Sequence, residues 1–210
     1  MDQRPDTLIE QRLGLIKEFE QQASILPASF DAVLLIDVQK EFCDKNGIRG
    51  NDNTEYMSAH IAQRIPEFRS EGVTIYAIGV DNEYIPPDQK EFHNYVPAQG
   101  DVKISKPFTS AFHEDADDLE TILKDANHQN LLVMGFNTNS CVKLTAMDAQ
   151  RRGFNTWLVV DCTGNDTVSG EGNTKHHVSK MLESGTNLVS SEQALVHIRQ
   201  STSCSSLTAD

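Results

Sequence analysis

The chain has 210 residues, 38% of them hydrophobic and 23% charged, with a formal net charge of −13 at pH 7. That length suits one ordinary globular domain able to bury its own core. The acid excess excludes readers of phosphate backbones and binders of anionic membrane surfaces, both of which need Lys and Arg, so no nucleic-acid or membrane partner is expected.

Asp6 to Gln22 sets Leu8, Ile9, Leu13, Ile16 and Phe19 at helical spacing, which predicts an amphipathic N-terminal helix lying on the domain. Ala32 to Asp37, "AVLLID", is a short apolar run and reads as a buried strand. Ser58 to Glu71 reads as a helix with Ile61, Ile65 and Phe68 on one face, and Gly72 to Val80 as a second buried strand. Asp81 to Gly100 holds three prolines and little periodicity, which marks a long excursion of the kind that carries function.

A short strand is expected near Val102 to Ile104, a helix over Glu114 to Asn127, and a strand over Asn130 to Gly135. A helix follows from about Ser140 to Arg152, then a strand over Phe154 to Asp161. Asn173 to Glu183 is helical, "TNLVS" a last strand and Glu192 to Arg199 a last helix, with a polar, frayed tail after it. Alternating strands and helices predict an α/β fold: a Rossmann-like three-layer α/β/α sandwich with a mainly parallel central sheet. The expected division is an N-terminal helical extension (1–29), one domain (30–199) and a tail (200–210).

Cys43, Cys141, Cys162 and Cys204 form no CxxC pair, so neither a zinc ribbon nor a thioredoxin-type site is expected. They read as free thiols in a reducing, cytoplasmic compartment. "MDQRPDTLIEQRLG" lacks the apolar run behind a basic start that a secretory signal shows.

Ligands bind beyond the carboxyl ends of such strands. Asp37 ends the first strand, where partial desolvation would raise its pKa and suit it to accept a proton. Cys141 falls in the first turn of a helix that Asn139 or Ser140 can cap, with Val142, Thr145, Ala146 and Ala149 as its packing face. Free amides and the helix dipole there would lower the thiol pKa and can hold an oxyanion. Lys106, amid Ile104, Phe108 and Phe112, would favour both anions. Nucleophile, proton acceptor and cation together make an activated-nucleophile site.

"LLIDVQKEFC", "KPFTSAF" and "VMGFNTNSCVKLTAMDAQRRGF" resemble, in that order, the signatures of the isochorismatase-like cysteine hydrolases, a superfamily that includes nicotinamidases and N-carbamoylsarcosine amidases. The matching residues are Asp37 and Gln39; Lys106 and Ser110-Ala111-Phe112; and Gly135, Thr138, Cys141 and Val142. The resemblance implies an Asp37–Lys106–Cys141 triad cleaving a C–N bond of a small amide or carbamoyl compound through an acyl-enzyme. It also implies an oxyanion hole from the backbone N–H groups of Asn137 and Cys141, a cis peptide at Phe136–Asn137, Phe42 and Phe112 as pocket walls, and a homo-oligomer.

Nicotinamidases carry an Asp-x-His and a further His that bind a metal. Here Asp81, Glu83 and His93 occupy the comparable region without that pattern, so no metal or other cofactor is expected. A metal-assisted nicotinamidase and a non-catalytic binding or regulatory protein on the same fold are the alternatives. Adjacent His176 and His177 face apart; Cys162 and Trp157 read as core, Cys43 as a bystander, and His113 as a residue able to approach the pocket.

Overall fold

The computed structural model describes residues 5–19 and 26–207. Six strands, β1 (Ala32–Ile36), β2 (Thr74–Val80), β3 (Val102–Lys106), β4 (Asn130–Phe136), β5 (Asn155–Gly164) and β6 (Asn187–Val189), form one sheet. Their order is β3-β2-β1-β4-β5-β6 and every pairing is parallel. The order reverses between β1 and its neighbours β2 and β4, so a crevice opens beyond the carboxyl ends of these strands. Asp37 follows β1, Lys106 ends β3 and Cys141 follows β4, which brings all three to that end of the sheet.

The helices are α1 (Pro5–Glu18), α2 (Lys40–Cys43), α3 (Asp52–Ser70), α4 (Leu119–Asp125), α5 (Cys141–Arg151), α6 (Val168–Gly172), α7 (Thr174–Glu183) and α8 (Ser191–Leu207). Met57, Ile61 and Phe68 of α3 and Leu195 of α8 pack on one face of the sheet. Leu123 of α4, Val142 and Ala146 of α5 and Met181 of α7 pack on the other. β1 and most of β4 are buried on both sides, which explains their unbroken apolar runs. Full burial of each such aliphatic side chain contributes about 1.5–3 kcal/mol. No helix among the described residues is long and apolar enough to cross a membrane.

α1 contributes Leu8 to one core and Leu15 to the other, so it lies across the sheet's end rather than along one face. Its buried Arg12 donates to Thr163 O at 3.2 Å and pairs with Glu171 at 2.5 Å. The helix was expected to reach Gln22; residues 20–25 lie outside the described set.

Several element boundaries differ from expectation: β3 and β5 run on to Lys106 and Gly164, and α3 and α4 shift for a visible reason. α3 begins earlier because Asn51 caps it: the Asn51 side chain accepts from Asn53 N and Thr54 N, and Thr54 Oγ1 accepts from Asn51 N. α4 begins later, at Asp118, whose side chain accepts from Thr121 N at 3.1 Å. The polar tail is helical through Leu207, and Ser201, Thr202 and Ser203 there donate their hydroxyls to the carbonyls four residues back.

Candidate active site

Asp37 and Lys106 are fully buried, and Lys106 Nζ donates to Asp37 Oδ2 at 2.8 Å. Lys106 also donates to Phe108 O at 2.8 Å. Asp37 takes a left-handed backbone conformation (φ 50), and its N–H is held by Ile78 O at 2.8 Å. Its second oxygen, Oδ1, is buried with no hydrogen-bond partner among the described residues. The Cys141 thiol is the neighbour of both side chains and is 8% exposed. Of these three residues Cys141 alone lines a cavity of about 290 Å³.

A helix N-terminus was expected to lower the pKa of the Cys141 thiol. Instead burial, with the Asp37 carboxylate second, pushes Cys141 up to about 12, against the pull of Lys106. Ser140 stands at the N-cap without a side-chain capping bond. Burial also pushes Asp37 up, against Lys106. For Lys106, burial alone would push it down; Asp37 and Cys141 outweigh this and hold it above its ordinary value. Burial and the neighbouring Asp37 thus favour the protonated form of the Cys141 thiol.

The turn between β4 and α5 has a cis peptide at Phe136–Asn137. Neighbouring amides are engaged: Thr138 N with Gly164 O, Asn139 N with Asn165 Oδ1, and Ser140 N and Val142 N with Asn137 O. The Asn137 and Cys141 N–H groups have no acceptor among the described residues, so they are free to receive an oxyanion. Gly135 is required just before this turn: its φ is +117, and a Cβ there would stand 2.0 Å from Ile36 O.

Gln39 locks the start of the excursion. Its side chain accepts from Val80 N at 2.8 Å and donates to Val80 O and Lys90 O. Ser110 and Ala111 clamp the segment after Lys106 onto α5. Ser110 Oγ donates to Asp148 Oδ2 at 2.7 Å, and Ala111 N donates to Thr145 Oγ1 at 3.1 Å. These contacts hold cation and nucleophile in register.

Phe42 lines the cavity, under the Arg49 guanidinium at 5.2 Å from the ring centroid. Phe112 does not line it. It packs among α5-side core residues, with Arg152 over its ring at 5.0 Å and Phe154 beside it. The aromatic of that segment in the cavity wall is Phe108, with His113 stacked against it at 4.8 Å. Tyr84 and Ile85, from the excursion, also line it. Sequence reasoning missed Glu41 and Arg49, for which only their position after Asp37 was a signal.

Asp81, Glu83 and His93 do not gather as a ligand set among the described residues. Asp81 pairs with Lys90 at 2.5 Å, while His93 Nε2 meets Glu55 at 2.9 Å, with Asp44 near it. Cys43 and Cys162 are fully buried, Trp157 packs edge-on against Phe30, and the Cys204 side chain lies outside the described set.

Residues 31–193 match the Isochorismatase domain, so the chain belongs to the isochorismatase family. It is 27% identical over 153 residues to a maleamate amidohydrolase from Pseudomonas putida, covering 72% of this chain and 62% of that protein. It is 29% identical over 89 residues to a nicotinamidase from Acinetobacter baylyi, covering 42% of this chain and 41% of that one. The matches thus span less than two thirds of either relative. The fold resembles that of an isochorismatase-like hydrolase from Alkaliphilus metalliredigens, with a TM-score of 0.71, 19% identity, and 82% and 98% of the two chains covered.

Proposed function

We propose that this chain is a cysteine amidohydrolase that cleaves the C–N bond of a small amide or carbamoyl compound. The carrying observation is the fully buried Asp37–Lys106 pair set against Cys141, the one cysteine among the described residues that lines the cavity. The names of the maleamate amidohydrolase and nicotinamidase relatives support the same class of bond. A cavity of about 290 Å³ admits only a small substrate.

In this reading the Cys141 sulfur attacks the carbonyl carbon as its proton passes to Asp37. Lys106 holds the Asp37 carboxylate in place and offsets the charge gathering at the sulfur. The oxyanion is received by the N–H groups of Asn137 and Cys141. The C–N bond then breaks, and Asp37 returns the proton to the leaving nitrogen. Water attacks the thioester, Asp37 takes its proton, and the carboxylic acid leaves as sulfur regains that proton. Cys141→Ala should abolish amide turnover with the fold intact; full activity in that variant would reject the assignment.

A metal-held nicotinamide is the weaker reading, because Asp81 pairs with Lys90 and His93 with Glu55 rather than the two gathering at one point with Glu83. A homo-oligomeric state is an expectation of the family resemblance and a cytoplasmic location one of the unpaired cysteines; light scattering tests the first.

A further inference from the structure

Glu41 is 8% exposed, lines the Cys141 cavity, and has a buried Oε2 with no hydrogen-bond partner among the described residues. A buried carboxyl left unsatisfied in a native fold calls for a partner that arrives from outside. The cations near the cavity are already engaged. Arg49 pairs with Asp166 at 2.6 Å, and Lys106 with Asp37 at 2.8 Å. Arg49 is held further by stacking over Phe42, and Asp166 is tied to the oxyanion turn through its N–H to Asn137 Oδ1 at 2.7 Å. Glu41 thus offers a carboxyl oxygen without a hydrogen bond to a cavity walled by Phe42, Tyr84, Ile85 and Phe108 together with the polar Asn82, Thr109 and Ser140.

From this arrangement we propose that Glu41 determines specificity, receiving an N–H-bearing group, ammonium or amide, at the far end of a short amide substrate. The inference rests on the amidohydrolase reading above and narrows its substrate class. A substrate carboxylate, such as that of maleamate, would meet Glu41 as a like charge and be disfavoured. Burial pushes the Glu41 carboxyl up, against the pull of Arg49, and an incoming cation would favour its charged form.

The test is calorimetry on the Cys141→Ala protein with three short amides that share the CH2CH2–CONH2 end. β-Alaninamide ends in an ammonium, succinamide in a neutral amide and succinamate in a carboxylate. The expected result is that β-alaninamide and succinamide bind at least about tenfold more tightly than succinamate. Adding Glu41→Gln should shrink the advantage of the ammonium over the carboxylate by about tenfold or more. Succinamate binding as tightly as β-alaninamide, binding by none of the three, or a Glu41→Gln change that moves all three alike would overturn the proposal. Because this protein lacks the nucleophile, the outcome does not depend on turnover. Failure of the hydrolase reading would show separately, as wild-type protein that forms no acyl adduct.

Discussion

Asp37 Oδ2 and Lys106 Nζ, 69 positions apart in the chain, meet at 2.8 Å with neither side chain exposed. Each charge is tolerable there only because the other is present. Lys106→Met strands the Asp37 carboxyl and should lower unfolding free energy by about 3–5 kcal/mol. The double variant Asp37→Asn/Lys106→Met should recover much of that loss. Urea unfolding measures both; a single variant as stable as wild type would show that the pair is not coupled.

The direction of the titrations sets the pH profile. Asp37 must be a carboxylate to accept the thiol proton, and burial raises its pKa above the ordinary 3.8. Activity should therefore fall as pH drops through that raised value. On the alkaline side Cys141 is pushed up to about 12 and Lys106 is held high, so kcat/KM should stay flat well above neutrality. A thiolate-type limb, with kcat/KM rising through neutral pH as a free cysteine ionises, would contradict this picture.

Much of this geometry is readable from three short stretches. Asp37, Lys106 and Cys141 each follow or end an apolar run, and a parallel sheet brings strand ends together whatever their separation along the chain. What is not readable depends on neighbours remote in sequence. Phe112 looks like a pocket wall until Arg152 and Phe154 claim its ring. The thiol pKa goes opposite to the helix-terminus expectation because burial, with the Asp37 carboxylate second, pushes it up. The helical tail is hidden by its serines, whose hydroxyls turn back onto the helix instead of out to water.

A stability prediction comes from the far side of β5. Asp161 is 4% exposed and accepts from Ser191 N at 2.8 Å and Ser191 Oγ at 2.6 Å, at the start of α8. Burial pushes its pKa up, but His60 and Ser191 outweigh that and hold it below the ordinary 3.8. A depressed folded pKa contributes stability that is present above the unfolded value and lost as pH falls through the folded one. Asp161→Asn should cost about 1–3 kcal/mol at neutral pH and flatten the loss of stability on acidification. Thermal unfolding at a series of pH values reads both effects; an unchanged acid slope would remove Asp161 from the account.

The most direct test is covalent. Wild-type protein is mixed with a panel of small amides, quenched in acid within a turnover, and weighed intact, with the adduct then mapped by peptide. The prediction is a mass increase equal to the acyl group on the Cys141 peptide, absent in Cys141→Ala. Turnover that proceeds in Cys141→Ala, or an acyl group found on any other residue, would contradict the central claim.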